Sequence, residues 1–366
     1  MPLRGNGVLS PRYPGSHENR RARQRSEDDL ASAIFVGTRR GDDGRGWASA
    51  TLLALLALVS LSAPALALDY PARPVKAIVA VGAGGTGDIF MRVLGEELYR
   101  VWGQPVVVEN RPGGASNIGA RACAEAPPDG YTICILPGEP LAYNQFLFKK
   151  LAFDPAKDFA PIVNLFFNIQ ALVVNSALSV KTVYELVALS KQKAGTLSYT
   201  APSLPLALYL EKLKRERGAD WVAIPFRGGG ETANAVLSGS TPIAFLGLQN
   251  FISHLQSGTM TGLAVDSAGR SPLFPDIPTL GELGYLGNLT RVYFGLVAPA
   301  GTPKPIIDKI HDDVVLVAND PVFRKKQFTD RALEPILSTP EEFSRFLVAD
   351  RVVSKRVVDE AGLQPQ

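Results

Sequence analysis

The sequence predicts an α/β fold in which helices flank mostly parallel sheets, and three observations support this. Short apolar runs, typical of buried strands, alternate with segments whose apolar residues recur at helical spacing. The length of 366 residues suits about two domains of ordinary size. The two halves share one plan, in which a strand leads through a glycine-rich turn into a helix. Such turns place helix N-termini at the carboxyl ends of strands, where open α/β sheets bind ligands.

The first series of elements starts at Val75–Val81, an apolar run that predicts a buried strand. The glycine-rich turn Gly82–Gly87 follows it. Apolar residues then recur at helical spacing from Ile89 to Val101 and predict one apolar face of a helix. The series continues with a strand at Val106–Val108, a polar glycine-rich loop at Asn110–Asn117, a helix at Ile118–Ala126 and a strand at Tyr131–Leu136.

The second series follows the long apolar run Ile162–Val174. It alternates strands with helices, and helices close the chain. Its predicted strands are Thr196–Tyr199, Trp221–Pro225, Ile243–Leu248, Thr261–Val265 and Val292–Pro299. Its predicted helices are Val183–Lys193, Ala207–Arg217, Glu231–Leu237, Phe251–Ser257, 304–318, 320–329 and 340–360.

Residues 47–67 have the features of a secretory signal peptide. Their apolar run follows Arg45 and ends in the small-residue pattern Ala65-Leu66-Ala67. A membrane anchor is the alternative, but Pro64 and the closing Ala-x-Ala pattern favour cleavage after Ala67. We therefore expect a periplasmic protein that is exported by a cleavable signal peptide.

The segment before this signal is polar. Residues 1–46 are rich in Arg, Gly and Ser and show no hydrophobic periodicity, which predicts a disordered leader. The alternative is a start site assigned too early, with translation beginning at Val36. Arg39-Arg40 leaves twin-arginine export as a further alternative.

Charge and cysteine content restrict the function. The chain has 38 basic and 35 acidic residues, and residues 1–67 hold 9 and 6 of these, so 29 of each remain after cleavage. This balance leaves no basic field for nucleic acid or an anionic membrane. Cys123 and Cys134 are interpreted as two small buried thiols, although an exported chain could oxidise them to a disulfide.

The loop Gly82–Asp88 is the first candidate binding site. Its glycines let the backbone approach a bound group, and the free N–H groups of the next helix suit a carboxylate. Asp88 is expected to hold the loop by accepting backbone hydrogen bonds. The alternative is a plain strand-to-helix turn that Thr86 or Asp88 caps.

Two further loops follow predicted strands of the second series. In Arg227–Gly230, the Arg227 side chain could form a fork on a carboxylate, or it could be a solvated loop arginine. In Thr200–Pro205, Thr200 and Ser203 supply the hydroxyl groups, and the alternative is an ordinary turn.

Motifs for catalysis, metals and cofactors are missing from the sequence. There is no Gly-x-Ser-x-Gly elbow, and no His/Cys cluster has metal-ligand spacing. His254 and His311 lie in helical patterns and are interpreted as structural. Asp266 lies at a strand end, where it could act as an acid or base, but no partner is visible. We therefore expect no enzyme, no metal and no cofactor.

Several segments together resemble one family, the periplasmic receptors of tripartite tricarboxylate transporters, often called Bug receptors. The most specific are residues 106–119, which read Val-Val-Val-Glu-Asn-Arg-Pro-Gly-Gly-Ala-Ser-Asn-Ile-Gly, and Pro128–Thr132. Further matching segments are Tyr70–Val75, Gly84–Asp88, Gly103–Gly113, Asp158–Pro161, Ile224–Gly229, Arg270–Pro272, Pro275–Thr279 and Ala298–Pro303.

The resemblance implies a two-lobed periplasmic binding protein of type II, with a small organic carboxylate held in the cleft. Lobe one would comprise 69–172 and 294–366, and lobe two 173–293. The ligand would lie among the loops 82–88, 138–140, 200–206 and 227–230. The implied ligand-binding residues are Gly84, Gly85, Thr86, Gly87, Asp88, Gly138, Thr200, Ser203, Arg227, Gly228 and Gly229.

The resemblance also implies partners. The receptor would act as a monomer that delivers its ligand to the membrane permease subunits of the transporter. Two alternatives remain: a ligand-sensing partner of a membrane sensor kinase without a transport role, or a receptor whose carboxylate binding has diverged or been lost.

The chain departs from the family pattern at the cleft. Ala83 stands where Pro is usual, and Tyr209 where His is usual. The loop Ser203-Leu-Pro-Leu206 replaces a pattern of Gly, polar residue, Gly and hydroxyl. Leu204 and Leu206 would offer apolar surface there, so we expect a monocarboxylate with an apolar or aromatic body.

Overall fold

A computed structural model gives the fold of residues 70–201, 204–226, 229–284 and 291–365. The predicted leader (1–46) and signal peptide (47–67) lie outside these residues. In the part that the structure describes, the strands are β1 (Val75–Val79), β2 (Val106–Asn110), β3 (Thr132–Pro137), β4 (Phe159–Asn168), β5 (Gln170–Asn175), β6 (Ser198–Thr200), β7 (Val222–Ala223), β8 (Ile243–Gly247), β9 (Met260–Val265), β10 (Tyr293–Pro299) and β11 (Leu333–Pro335).

Helices cover both faces of the sheets these strands form. The α-helices are α1 (Thr86–Trp102), α2 (Asn117–Ala124), α3 (Asn144–Leu147), α4 (Val183–Gln192), α5 (Leu204–Arg217), α6 (Gly229–Ser238), α7 (Ile252–Gln256), α8 (Lys304–Ala318), α9 (Pro321–Phe323) and α10 (Pro340–Glu360). Short turns of π-helix occur at Glu139–Tyr143 and Arg324–Phe328. Short 3₁₀ turns lie at Ser176–Leu178, Leu248–Asn250 and Thr329–Arg331.

The strands form two sheets, and each sheet with its helices forms one lobe. The first sheet has the order β11-β4-β10-β3-β1-β2 and the second β7-β6-β8-β5-β9. Both are mixed, which corrects the expectation of mostly parallel sheets: β1, β2 and β3 pair in parallel, whereas β10 is antiparallel to β3 and β4. The reason is the connection between lobes. A strand that enters a sheet from the hinge starts at the edge where the parallel strands end, so it must run against them.

The chain first crosses between sheets at Ile169, which separates β4 from β5. The boundary expected between residues 172 and 173 falls inside β5, whose residues from Gln170 onward pair with β8. The return crossing lies ahead of Tyr293, the first residue of β10. We therefore propose that lobe two begins at Ile169 and ends before Tyr293.

Apolar packing on one face of the first sheet fixes helix α1 in place. Phe90 and Leu94 of α1 are almost fully buried. The centroid of the Phe90 ring lies 4.7 Å from that of the Phe166 ring in β4. Helix α8 covers the same face with Ile310 and Val314. Because this face is buried and rigid, the N-terminus of α1 is held at a fixed place on the sheet edge.

The opposite face of the first sheet contains the two cysteines. Cys123 of α2 and Cys134 of β3 form a disulfide with their Cα atoms 6.2 Å apart, and both residues are fully buried. The interpretation as two free thiols is therefore wrong. The disulfide ties α2 to the strand that ends beside the candidate site.

Candidate functional site

The carboxyl ends of β1, β2 and β3 meet at one edge of the first sheet. Val79 pairs with Asn110 of β2 and, on its other side, with Ile135 of β3. The segments after these strands therefore leave the sheet side by side, at about the 5 Å spacing of neighbouring strands. Gly82–Gly87 follows β1 and Gly138 follows β3, so the two loops that the sequence singles out in this lobe are neighbours.

Asp88 holds the loop after β1 in shape. Its Oδ2 accepts the Gly84 N–H at 2.8 Å, and its Oδ1 accepts from Arg92 Nε and Asn110 Nδ2, each at 2.9 Å. Burial alone would raise the pKa of Asp88, but the hydrogen bonds from Arg92, Gly84 and Asn110 outweigh burial and lower it. Asp88 is thus an ionised, buried support of the loop, the role that the sequence predicts for it.

The start of α1 offers free backbone donors. The Gly84 N–H is taken by Asp88, and the Gly85 N–H donates to the Gly82 carbonyl at 3.0 Å. Thr86 and Gly87 occupy the first two helical positions, whose N–H groups have no carbonyl four residues earlier within the helix. The partial positive end of this 17-residue helix adds to their attraction for an anion. The anion site at this loop stays a prediction, and the Thr86 and Gly87 N–H groups are its candidate donors.

Close packing explains the glycines of this loop. A Cβ at Gly87 would lie 2.8 Å from the ring of Phe294, and one at Gly85 would lie 3.0 Å from the Gly82 carbonyl oxygen. Gly84 has a φ of 80°, which side chains other than glycine rarely adopt. The loop shape therefore depends on glycine at these positions.

The second lobe turns its own strand ends toward this loop. Thr200 ends β6 and Gly247 ends β8, and the two strands pair in parallel. Just beyond β8, the Gln249 Nε2 donates to the Thr86 Oγ1 at 3.0 Å. This hydrogen bond joins the two lobes across the cleft, directly at the first residue of α1.

A cavity of about 750 Å³ lies beside this bridging contact, a size in the usual range for small-molecule sites. Residues of both lobes line it, among them Gly84, Thr86 and Gln249. Its charged lining residues are Lys326, Asp330 and Arg331, from the segment between α9 and β11, and Asp330 pairs with Lys325. The two cations outnumber the one acid, and beside a helix N-terminus they favour an anionic ligand.

Three buried side-chain oxygens of the second lobe lack a hydrogen-bond partner among the described residues: Thr200 Oγ1, Thr232 Oγ1 and Gln249 Oε1. Buried polar atoms almost always bond to protein, water or ligand. Thr200 and Thr232 are buried within their lobe, whereas Gln249 lines the cavity. The Gln249 Oε1 can therefore accept a hydrogen bond from a polar ligand.

The remaining predicted site residues are Gly138, Ser203, Arg227, Gly228 and Gly229. Ser203, Arg227 and Gly228 lie outside the described residues. Gly229 is the first residue of α6, so the helix starts two residues before the predicted start at Glu231. At Gly138, a Cβ would lie 2.6 Å from the ring of Tyr293, so this turn packs closely on β10.

The expected apolar lining of the cleft by Leu206 is wrong. Leu206 is only 1% exposed and packs into the core of lobe two, as does Tyr209 at 2%. The reason is helical spacing: in α5, positions 206, 209, 210 and 213 fall on one face, and that face is buried against the second sheet. The lack of a small polar residue at 206 is therefore a packing feature of the lobe and no guide to the ligand.

Asp266 has a partner that the sequence did not reveal. Its Oδ1 accepts the Gln170 N–H at 2.7 Å, beside the crossing at Ile169. Burial raises its pKa to about 7, against the opposing charge of Arg291. Arg291 itself forms a two-pronged bond to Glu334, at 3.1 and 2.6 Å. Asp266 thus belongs to the hinge and lies apart from the α1 loop.

Three residues that line the cavity were not predicted as site residues: Gln249, Lys326 and Arg331. Gln249 directly follows a predicted strand, so the rule that ligands bind at strand ends could have identified it. Lys326 and Arg331 carried no such signal. They follow the last strand of the second series by many residues and reach the cleft only through tertiary packing.

Comparison with known proteins identifies the family of this chain and relatives with the same fold. The profile of the family described as "Tripartite tricarboxylate transporter family receptor" matches residues 90–363. A UPF0065 protein of the gbd 5′ region in Cupriavidus necator is 32% identical, over 87% of this chain and 96% of that protein. Protein BugT of Bordetella pertussis is 30% identical, over 81% of this chain and 91% of its own length.

Solved structures show the same fold. Rpa4515 of R. palustris, solved with adipate, has a TM-score of 0.73 at 28% identity and covers 81% of this chain and 100% of its own. MatC from Rhodopseudomonas palustris, with bound malate, has a TM-score of 0.68 at 26% identity and covers 79% and 100%. BugD, a periplasmic binding protein, has a TM-score of 0.71 at 28% identity and covers 81% and 100%.

In the described part of the chain, no helix has both the length and the apolar character needed to cross a membrane. The α/β fold with two lobes that the sequence predicts is confirmed. Family and fold are those of periplasmic solute-binding receptors. The chain belongs to the receptor family of the tripartite tricarboxylate transporters.

Proposed function

We propose that this protein is exported to the periplasm, captures a small organic carboxylate between its lobes and delivers it to the permease subunits of a tripartite tricarboxylate-type transporter. The observation that carries this proposal is the start of α1 at Thr86, which lines the cavity between the lobes and whose first N–H groups have no carbonyl partner within the helix. The signal-like segment ending at Ala67 supports export.

The cleft supplies the remaining requirements for anion capture. Lys326 and Arg331 line it together with one acid, Asp330, which pairs with Lys325, and Gln249 links the lobe-two edge to Thr86. In this proposal the ligand carboxylate takes the Thr86 and Gly87 donors, and the lobes close about the hinge to exclude water. Binding of adipate by Rpa4515 and of malate by MatC supports carboxylates as the ligand class.

A thermal-shift screen of organic acids tests whether the protein binds a carboxylate at all. A ligand that binds the folded state alone stabilises it by mass action, by about 2.7 kcal/mol at a hundredfold excess over Kd. We expect at least one mono- or dicarboxylate to raise Tm in a concentration-dependent manner. A complete panel without a shift, confirmed by calorimetry, contradicts the proposal and favours a receptor that has lost carboxylate binding.

Substitution of Thr86 by proline tests the placement of the carboxylate. Thr86→Pro removes one N–H from the first helical position, where proline is well tolerated, and Gly85 before it already has the extended backbone (φ −71°, ψ 160°) that proline requires. Thr86→Ala is the matched control, because it loses the same hydroxyl but keeps the N–H. We expect Thr86→Pro to bind the acid about ten- to a hundredfold more weakly than Thr86→Ala, as for one charge-assisted hydrogen bond of about 1.5–3 kcal/mol. Equal affinities in calorimetry would place the carboxylate elsewhere.

A further inference from the structure

An apolar cluster joins the two lobes beside the π-helical turn that follows β3. Its buried part comes from this turn and from α10, both in lobe one: Ala142, Tyr143, Val357 and Val358. Phe146 of lobe one packs on this cluster. Leu208 packs on it as well, but Leu208 belongs to α5 and hence to lobe two. Leu208 thus forms an apolar contact between the lobes.

Leu208 lies on the face of α5 that points away from the core of lobe two. The apolar residues of α5 that are buried in that core are Leu206, Tyr209, Leu210 and Leu213. At about 100° of rotation per residue, these four lie on one side of the helix and position 208 lies on the opposite side. The side chains that share this side with Leu208, Lys212 and Arg215, are exposed. Leu208 is nevertheless half-buried, so its cover comes from lobe one.

The Leu208 contact and the hydrogen bond from Gln249 to Thr86 lie on opposite faces of the first sheet. Helix α1, which starts at Thr86, covers one face, whereas α10 packs on the other face through Phe343. A motion that separates the lobes would break both contacts. Water then replaces the hydrogen bond of Gln249, but it cannot replace an apolar contact. Because the partners of Leu208 are side chains of the protein, its contact favours the closed arrangement whether or not a ligand is bound.

We propose that Leu208 is a latch that holds the two lobes closed without ligand and so positions the edge of lobe two against the start of α1. The inference goes beyond the proposed function, because it rests on contacts between protein side chains and specifies no ligand. Apparent affinity scales with the fraction of the protein that is in the binding-competent arrangement. A latch that raises this fraction therefore tightens the binding of any ligand that the closed lobes hold.

Distance measurements between the lobes test the latch in protein that has been freed of ligand by unfolding and refolding. Spin labels at Val348→Cys on α10 and Tyr184→Cys on α4 mark one lobe each; both positions are exposed, and the native cysteines are buried in their disulfide. We expect the labelled parent to show one dominant distance, which matches the structure. Leu208→Ser should lower the ratio of closed to open protein at least about fivefold, as expected for exposing half of a leucine side chain. Leu237→Ser makes the same change at an exposed site of lobe two and, as the matched control, should resemble the parent.

Three results would overturn the latch. They are a labelled parent that is mainly open, equal distance distributions for the parent and Leu208→Ser, and a lower Tm of Leu208→Ser without a change in distance, which would assign Leu208 to the stability of the fold alone. Phe146→Ala keeps the test decisive if Leu208→Ser does not fold, because it removes an apolar side chain from the lobe-one part of the cluster. It should open the lobes in the same way, and an unchanged distance distribution would contradict the proposal equally.

Discussion

Individual residues at the cleft show how far sequence reasoning reaches. The supporting role of Asp88 was predictable from the sequence. Its carboxylate lies four residues after Gly84, close enough along the chain to accept the Gly84 N–H. Gln249 was not predicted, although its place directly after a predicted strand could have identified it. Its partner Thr86 lies in the other lobe, and no local pattern encodes that pairing. Leu206 shows the opposite error: a residue assigned to the cleft from its loop proved to belong to the core face of a helix.

The bridge between Gln249 and Thr86 predicts coupling between the two lobes. If the contact stabilises the closed, liganded state, Gln249→Ala should weaken ligand affinity by roughly five- to tenfold, as expected for one neutral hydrogen bond of about 1 kcal/mol. The same change in a Thr86→Ala background should have much less effect, because the partner is already gone. Calorimetry of the double-mutant cycle measures this. Gln256→Ala, at an exposed end of α7, is the control. Additive effects of the two substitutions would show that the bridge does not matter for binding.

Asp266 predicts a pH dependence of stability. Its pKa is raised by burial to about 7 in the folded protein, against about 3.9 in an unfolded chain. Between these values the folded state binds the proton more tightly, so this residue makes the protein less stable as the pH rises from about 4 to about 7. Asp266→Asn keeps the oxygen that accepts the Gln170 N–H and removes the titration.

We expect the free energy of unfolding of Asp266→Asn, relative to that of the parent, to increase as the pH rises. The growth can reach about 1.4 kcal/mol per pH unit for one proton. Urea unfolding at pH 4.5, 6 and 7.5 measures it, with Asp276→Asn as an exposed control. Parallel curves for parent and Asp266→Asn would mean that the carboxyl does not titrate in this range.

The periodicity of apolar residues located most helices and strands. It missed the elements whose apolar residues show no periodic pattern. The continuous run 162–174 was read as one segment, although Asn168 ends a strand of one sheet and Gln170 begins a strand of the other. Both strands are buried on both faces, so hydrophobicity alone carries no mark of the crossing. Strand β11 has only three residues and pairs at the sheet edge, too short for any alternation to be visible.

The disulfide between α2 and β3 predicts separate effects on stability and on binding. Its cysteines are 11 residues apart, and a crosslink over such a loop stabilises a protein by about 3 kcal/mol in the chain-entropy model. Replacing both by Ala should therefore lower the free energy of unfolding by about that amount. Ligand affinity should stay within about threefold, or roughly 0.7 kcal/mol, because neither cysteine lies in a cleft loop. Denaturant unfolding and calorimetry of the same sample test both halves. A tenfold loss of affinity in a folded variant would show that the disulfide positions the site.

At the scale of the whole molecule, the two-lobed plan followed from repeated strand–turn–helix units and from the family resemblance. The position of the hinge could not be predicted, because it is defined by the points at which the chain passes from one sheet to the other. Residues of that hinge, Asp266 with Gln170 and Arg291 with Glu334, are joined by hydrogen bonds between segments far apart in sequence. The ligand cleft is likewise a property of the assembled lobes, since Thr86, Gln249 and Lys326, which all line it, lie far apart in the sequence.

Export is a property of the whole chain and gives the last prediction. The apolar run ending at Ala65-Leu66-Ala67 predicts cleavage after Ala67, so that the exported protein begins at Leu68. Ala67→Leu places a large residue next to the cleaved bond, where small residues are required, and should leave uncleaved precursor in the membrane fraction. Ala63→Leu lies outside the Ala-x-Ala pattern and is the matched control, which should be processed normally. N-terminal sequencing of the periplasmic fraction measures the start. Recovery of the unsubstituted chain with residues 47–67 still attached and anchored in the membrane would contradict a soluble periplasmic receptor.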